Sequence, residues 1–137
     1  MNVGEKIDPE YEKWFQIVYD AREDARQFIQ ARLDAGEKVR GYEVDRRLKE
    51  RFEQLGCAQY LMHRTGHNIG HRCHGIGANL DDYETHDDRC LLPGTMFSIE
   101  PGLYTDKYGV RLEYDVHITS EGETKVYGPV QDEILVI

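Results

Sequence analysis

The chain is 137 residues long, 39% hydrophobic and 31% charged, which suits one soluble globular domain with a sizeable core and excludes a disordered or fibrous chain. Its 26 acidic against 17 basic side chains give a formal charge of -9, which repels a phosphate backbone and argues against nucleic acid or an anionic membrane surface as partner. No apolar run approaches the roughly 20 residues a bilayer span needs, and Met1 to Lys6 lacks the apolar stretch of a signal peptide, so the default expectation is a cytoplasmic protein.

In chain order, the first third reads as helix. Tyr11, Trp14, Val18, Ala21, Ala25 and Phe28 alternate steps of three and four and form one apolar stripe. Asp8 is a fitting N-cap, Pro9 suits the first helical position, Glu10 and Glu12 favour the dipole, and Gly36 is a plausible stop. Val44, Leu48, Phe52 and Leu55 predict a second, shorter helix ending at Gly56. Its other face, Arg46, Arg47, Lys49, Glu50 and Glu53, reads as solvated.

Beyond Gly56 the helical period disappears and glycines crowd in at 66, 70, 75 and 77, which favours strands and turns. Phe97 to Glu100 alternates and stops at Pro101-Gly102, while Val110 to Thr119 alternates throughout as one strand, with Arg111 and Glu113 on one face. Glu121-Gly122 marks a hairpin turn, and Ile134 to Ile137 supplies a last apolar strand. Cys57, Cys73 and Cys90 are odd in number and lack a CxxC spacing. Neither a disulfide framework nor a thiolate zinc site is suggested, and all three read as free thiols.

Two constellations carry chemistry. His63, His67, His71 and His74 fall within twelve residues, and their spacing would fit one side of a helix. Interleaved glycines cost such a helix about 1 kcal/mol each, so a strand and tight loop are expected instead. A cluster of this density is a metal site, a proton-transfer site or a surface cluster without chemistry. The second constellation is Glu100 and Glu113, each on an alternating strand. Imidazole plus two carboxylates on a rigid sheet suits a hydrolytic centre of hard divalent cations.

The stretches His63-Arg-Thr-Gly-His67-Asn-Ile-Gly, then His74, then Leu92-Pro-Gly-Thr-Met-Phe-Ser-Ile-Glu100-Pro-Gly-Leu-Tyr104, then Gly109-Val-Arg-Leu-Glu113 resemble the pita-bread metallopeptidases: proline dipeptidases, aminopeptidase P and methionine aminopeptidases. The resemblance covers nearly the whole chain and is nearest to the Xaa-Pro dipeptidase and aminopeptidase P branch. It implies an α+β fold, with two antiparallel-packed helices on one face of a curved, mainly antiparallel sheet and the site on the other. It also implies that His67 and Glu100 bind one divalent ion (Mn, Co or Zn), that Glu113 bridges two, and that His63 and His74 bind and polarise the substrate carbonyl. Arg111 would position the site, and Glu100 would double as proton shuttle for a bridging water. His71, His86 and His117 match no functional position and read as surface or structural.

Departures accompany these matches. The family completes its two-ion site with two aspartates on a strand pair preceding the first long helix, and neither is present here. Asp8, Asp20, Asp24 and Asp34 lie at, on or just after that helix, which disqualifies them as substitutes. Gly75 follows His74 where many members carry an acid, which blurs the substrate class. The expectation is the C-terminal portion of a peptidase catalytic domain, inactive or feeble alone, holding at most one ion weakly and prone to self-association through surface the strand pair would cover. Alternatives are a non-catalytic module binding a peptide or partner, and one half of a split peptidase.

Overall fold

The structure, a computed structural model, describes residues 6–136. Helix α1 spans Pro9–Asp34, with the Asp8 carboxylate accepting from the Glu10 N–H at 2.9 Å and Pro9 opening the first turn. Gly36, at φ +71°, follows its end as expected. The buried stripe is Tyr11, Phe15, Val18, Ala21, Arg22, Ala25 and Ile29. It is rotated from the expected one, leaving Trp14 and Phe28 only partly buried. The periodicity missed this because Arg22 is fully buried. Its guanidinium lies 4.5 Å from the Tyr114 ring centre and donates to the Gln131 carbonyl at 3.0 Å.

Helix α2 spans Gly41–Gln54 and buries Val44, Leu48 and Phe52 as read, together with the unforeseen Asp45. Leu55 instead closes the helix as an exposed C-cap, and Gly56 takes φ +68°. The charged face of α2 is not simply solvated. Arg47 grips Asp24 with two hydrogen bonds of 2.7 and 2.8 Å, Arg46 bonds Asp82 at 3.0 Å, and Arg32 reaches Glu43 at 3.4 Å. Partners on α1 descend from 32 to 24 as those on α2 rise from 43 to 47, so the two helices pack antiparallel.

A 3-10 turn, Ala58–Tyr60, leads into six short strands: β1 Asn68–Ile69, β2 Met96–Ile99, β3 Gly102–Tyr104, β4 Gly109–Arg111, β5 Tyr114–Ile118 and β6 Thr124–Tyr127. One antiparallel sheet runs β1-β2-β5-β6 and a second pairs β3 with β4. The strand read from Val110 to Thr119 is therefore two, and Glu100 lies just past β2 rather than within it. Proline is the reason. Pro101 has no N–H, so only the Leu112 N–H to Pro101 carbonyl bond of 3.3 Å spans the pair there, although the register of Ile99 opposite Tyr114 and Gly102 opposite Arg111 runs straight through the gap. The β3–β4 hairpin, hidden in sequence behind the apparent stop at Pro101-Gly102, projects beyond it. The turn at Glu121-Gly122 forms, with Gly122 at φ +84°. Ile134 to Val136 form no strand beyond an isolated bridge at Val136, and Ile137 lies outside the described residues.

Phe97, Ile99, Leu103, Val110, Tyr114, Val116 and Ile118 turn inward into a single core with α1 and α2. Alternation then sends Met96, Ser98, Asp115 and His117 to the opposite face. Among the described residues no helix is long and apolar enough to cross a membrane.

Candidate metal centre

The continuous register across the Pro101 gap places Glu100 opposite Glu113. Beside them, β1 extends irregularly backward: the Ser98 N–H donates to the His67 carbonyl at 2.9 Å and the Glu100 N–H to the Thr65 carbonyl at 2.8 Å. His67 thus stands opposite Ser98, one step from Glu100 on the face turned away from α1. All six residues singled out in the sequence, His63, His67, His74, Glu100, Arg111 and Glu113, line one cleft of about 350 Å³. His71 and His86 do not; both are exposed, and His86 pairs with Asp82. The His cluster itself is a short strand and loop, as the glycines required.

Three ligand atoms, one each from His67, Glu100 and Glu113, lie within 4.8 Å of one another. The hydrogen bonds fix their character. His67 Nδ1 faces the Asn68 carbonyl at 3.1 Å, an acceptor only, so Nδ1 carries a proton and Nε2 is the ring nitrogen left to face a cation. Nε2 in turn faces Glu100 Oε1 at 3.4 Å. Ser98 Oγ accepts the His67 N–H at 3.0 Å and donates to the same Oε1 at 3.2 Å, tying the two together. Burial first, and the Glu100 charge second, push the Glu113 carboxyl above its ordinary pKa; Arg111 and His67 pull the other way. Arg111 Nη1 lies 3.8 Å from Glu100 Oε2 and is half exposed, a loose counter-ion. Two carboxylates and an imidazole nitrogen therefore converge, with Arg111 only a loose counter-ion, a donor set that fits a divalent cation.

Several supporting residues escaped the sequence reading. Asp45 is buried and accepts from the Thr65 N–H at 2.8 Å, Thr65 Oγ1 at 2.6 Å and the Asp82 N–H at 2.7 Å, so it ties α2 to the segment carrying His67. Burial pushes its carboxyl above the usual range. His63 Nε2 and the Tyr104 hydroxyl share a hydrogen bond of 2.9 Å while His63 Nδ1 donates to the Arg64 carbonyl at 2.7 Å, which fixes the orientation of that ring. Asn68 accepts from the Gly77 N–H through Oδ1 at 3.0 Å, and its carbonyl accepts from the Gly75 N–H at 2.8 Å. Gly75 has a local reason: a Cβ there would meet Asn68 Oδ1 at 2.1 Å and the Gly70 nitrogen at 2.9 Å, so a side chain fits only if the Asn68 amide gives up its place under the loop. An amphipathic pattern could signal none of these, since each depends on a partner remote in sequence or on close backbone approach.

A helix pair over an antiparallel sheet whose far face gathers these residues is the α+β fold of the pita-bread metallopeptidases. Residues 1–120 match metallopeptidase family M24, and the chain belongs to that family. Among its relatives, the probable dipeptidase PepE of Mycobacterium tuberculosis H37Rv is 36% identical over 90 residues, 64% of this chain and 23% of the relative. The putative dipeptidase YkvY of Bacillus subtilis is 32% identical over 120 residues, 85% of this chain and 30% of the relative. The crystal structure of a dipeptidase from Pyrococcus horikoshii OT3 superposes with TM-score 0.80 at 28% identity, covering 98% of this chain and 35% of that one. The X-Pro aminopeptidase from Thermotoga maritima MSB8 gives 0.81 at 26% identity, covering 98% and 35%. The chain thus spans between about a quarter and a third of the length of these relatives.

Proposed function

We propose that this chain supplies the His67–Glu100–Glu113 part of a two-ion peptidase centre of the Xaa-Pro dipeptidase and aminopeptidase P kind, corresponding to the C-terminal portion of a catalytic domain. The observation that carries this reading is the convergence of those three ligand atoms within 4.8 Å across an interrupted ladder. When bound, divalent cations such as Mn²⁺, Co²⁺ or Zn²⁺ supply an acidified water and polarise the scissile carbonyl. The chain's own residues hold the rest. His63, locked by Tyr104, and His74, at the cleft mouth, bind the substrate carbonyl region; Arg111 steadies Glu100; and Glu100, held by Ser98 at one oxygen, moves the proton toward the leaving amine.

Two more carboxylates are needed to hold two cations against their mutual repulsion. The aspartates of the helical layer are committed elsewhere: Asp8 to the α1 N-terminus and Lys107, Asp20 to Gln16, Asp24 to Arg47 and Asp34 to Gln30. None of these four is free to complete the centre, and we expect the two further carboxylates to come from another segment, in one polypeptide or in two. Glu113 borders a second cavity of about 440 Å³ with residues 129–135, where such a segment would reach it. Val130, Leu135 and Val136 are exposed beside that cavity, so we expect this face to be covered by another segment or a second copy.

Calorimetry with Mn²⁺ is expected to show one weak site per chain, lost in His67→Ala, and no appreciable turnover of an Xaa-Pro dipeptide. Two tight sites, or brisk turnover by this chain that Glu100→Gln abolishes, would overturn the half-site reading.

A further inference from the structure

The loop after β1 places a thiol where the sequence spacing gave no reason to look for one. Cys73 and His74 are adjacent at its tip, both exposed, and a ligand atom from each lies within 4.8 Å of the other and of one on His67. The His67 and His74 rings sit with centres 4.3 Å apart. The loop is braced at its base by Asn68, through the Gly75 and Gly77 N–H groups, and by the Gly70 N–H on the Arg72 carbonyl at 3.1 Å. Because Asn68 directly follows His67, the brace holds the tip over that imidazole.

We propose that His67, Cys73 and His74 form a second metal site, selective for a borderline or soft cation with zinc foremost, and mutually exclusive with the His67–Glu100–Glu113 set. One thiolate and two imidazoles are a zinc donor set, with a fourth position left to water. Tetrahedral zinc places such donor atoms roughly 3.5 Å apart, so the tip must close by about 1 Å, a movement open to two exposed side chains. Binding removes the Cys73 thiol proton to solvent as the sulfur–metal bond forms. Exclusivity follows from His67. A neutral imidazole has one ring nitrogen free of hydrogen, so it serves either the two carboxylates or Cys73 and His74. The carboxylate set prefers hard Mn²⁺, whereas the thiolate set prefers zinc, and zinc at the loop would draw the ligand out of the peptidase centre and cap the cleft.

The existence of this site does not depend on the proposed function; only the competition does. Co²⁺ is the probe, titrated into the full chain under a non-thiol reductant while thiolate-to-cobalt charge-transfer absorption is recorded. The absorption is expected in the wild type, in Cys90→Ser and in the Glu100→Gln/Glu113→Gln double variant. It is expected to vanish in Cys73→Ser, and His74→Ala should weaken the underlying binding tenfold or more. Both of those residues are exposed, so loss of folding does not confuse the result. Persistence of the band in Cys73→Ser, or Co²⁺ uptake by the wild type without any band, overturns the site. For the competition, Zn²⁺ should release Mn²⁺ from the wild type at a concentration at least tenfold lower than from Cys73→Ser, read by the free-Mn²⁺ paramagnetic resonance signal. Equal zinc demand overturns the competition. A wild type that binds no Mn²⁺ removes the peptidase-centre reading and the competition together, while the thiolate band alone still decides the Cys73 site.

Discussion

Across the seam between α1 and α2, opposite charges face one another: Arg47 on Asp24, Arg32 on Glu43, with Val18, Ala25, Val44 and Phe52 fully buried beneath. Across the gap that Pro101 opens in the sheet, two like charges face one another, Glu100 and Glu113, beside the ring of His67. The first arrangement lowers the free energy of the folded chain by itself. The second raises it, and it persists because the surrounding ladder and core hold it in place. The molecule thus separates a region that stabilises the fold from a region where like charges are held together against it.

The largest expected effect belongs to the first region. Phe52→Ala should destabilise the chain by about 3–5 kcal/mol through the cavity it leaves. Read by denaturant unfolding alongside calorimetry, it should leave Mn²⁺ affinity per folded molecule unchanged. A changed affinity in the still-folded fraction would mean the helical layer and the cleft are coupled through the core.

Asp45→Ala sharpens the comparison because Asp45 belongs to both regions. The substitution strands the Thr65 N–H and hydroxyl and the Asp82 N–H. A loss of roughly 2–4 kcal/mol is expected from donors left buried without partners. Unlike Phe52→Ala it should also weaken Mn²⁺ binding, since Thr65 is the residue whose carbonyl receives the Glu100 N–H. Unchanged affinity would show that β2 and β5 alone position the site.

Acid should act on a third place, the buried Asp87. Hydrogen bonds from Arg89 first, and from the Asn79 and Arg89 N–H groups, lower its pKa from 3.8 to about 2. A carboxyl depressed on folding contributes stability that is complete above its unfolded pKa and is lost as pH falls through the folded value. Urea midpoints should therefore drop between about pH 4 and pH 2, and the drop should be smaller in Asp87→Asn. An equal drop in both would assign the acid sensitivity to other carboxyls.

How much of this was legible in the sequence follows the same division. Helix periodicity found α1, with its start at Asp8-Pro9, and the body and end of α2, because a stripe against one core is a local pattern. It failed at Trp14, Phe28 and Leu55, where the stripe is set by what lies opposite, and it could not foresee a buried Arg22 resting on the ring of Tyr114. The six cleft residues were legible through ordered motifs, but their supports were not. Ser98, Asp45, Asn68 and Tyr104 read as ordinary polar or aromatic positions until the ladder brings their partners near. The break at Pro101 was read as a strand end, when it is a gap in a register that continues, and that continuing register is what sets Glu100 opposite Glu113.

The smallest effect is the most discriminating. Glu113→Gln keeps the size and hydrogen-bonding reach of the side chain and removes one of two facing like charges. Without metal, the variant should be as stable as the parent or more stable by a few tenths of a kcal/mol, a modest gain because Glu113 is exposed and its repulsion is screened. An amide oxygen is a poorer ligand than a carboxylate for a hard cation, so the same variant should lose Mn²⁺ binding. Thermal unfolding in chelator and again with Mn²⁺ reads both at once: the parent's transition should rise with the metal, and the variant's should not. A variant clearly less stable in chelator would mean that Glu113 is a structural carboxylate whose partners hold the β4–β5 junction together. The like-charge pairing at Pro101 would then be a feature of folding, and the contrast with the α1–α2 seam would fail at its central point.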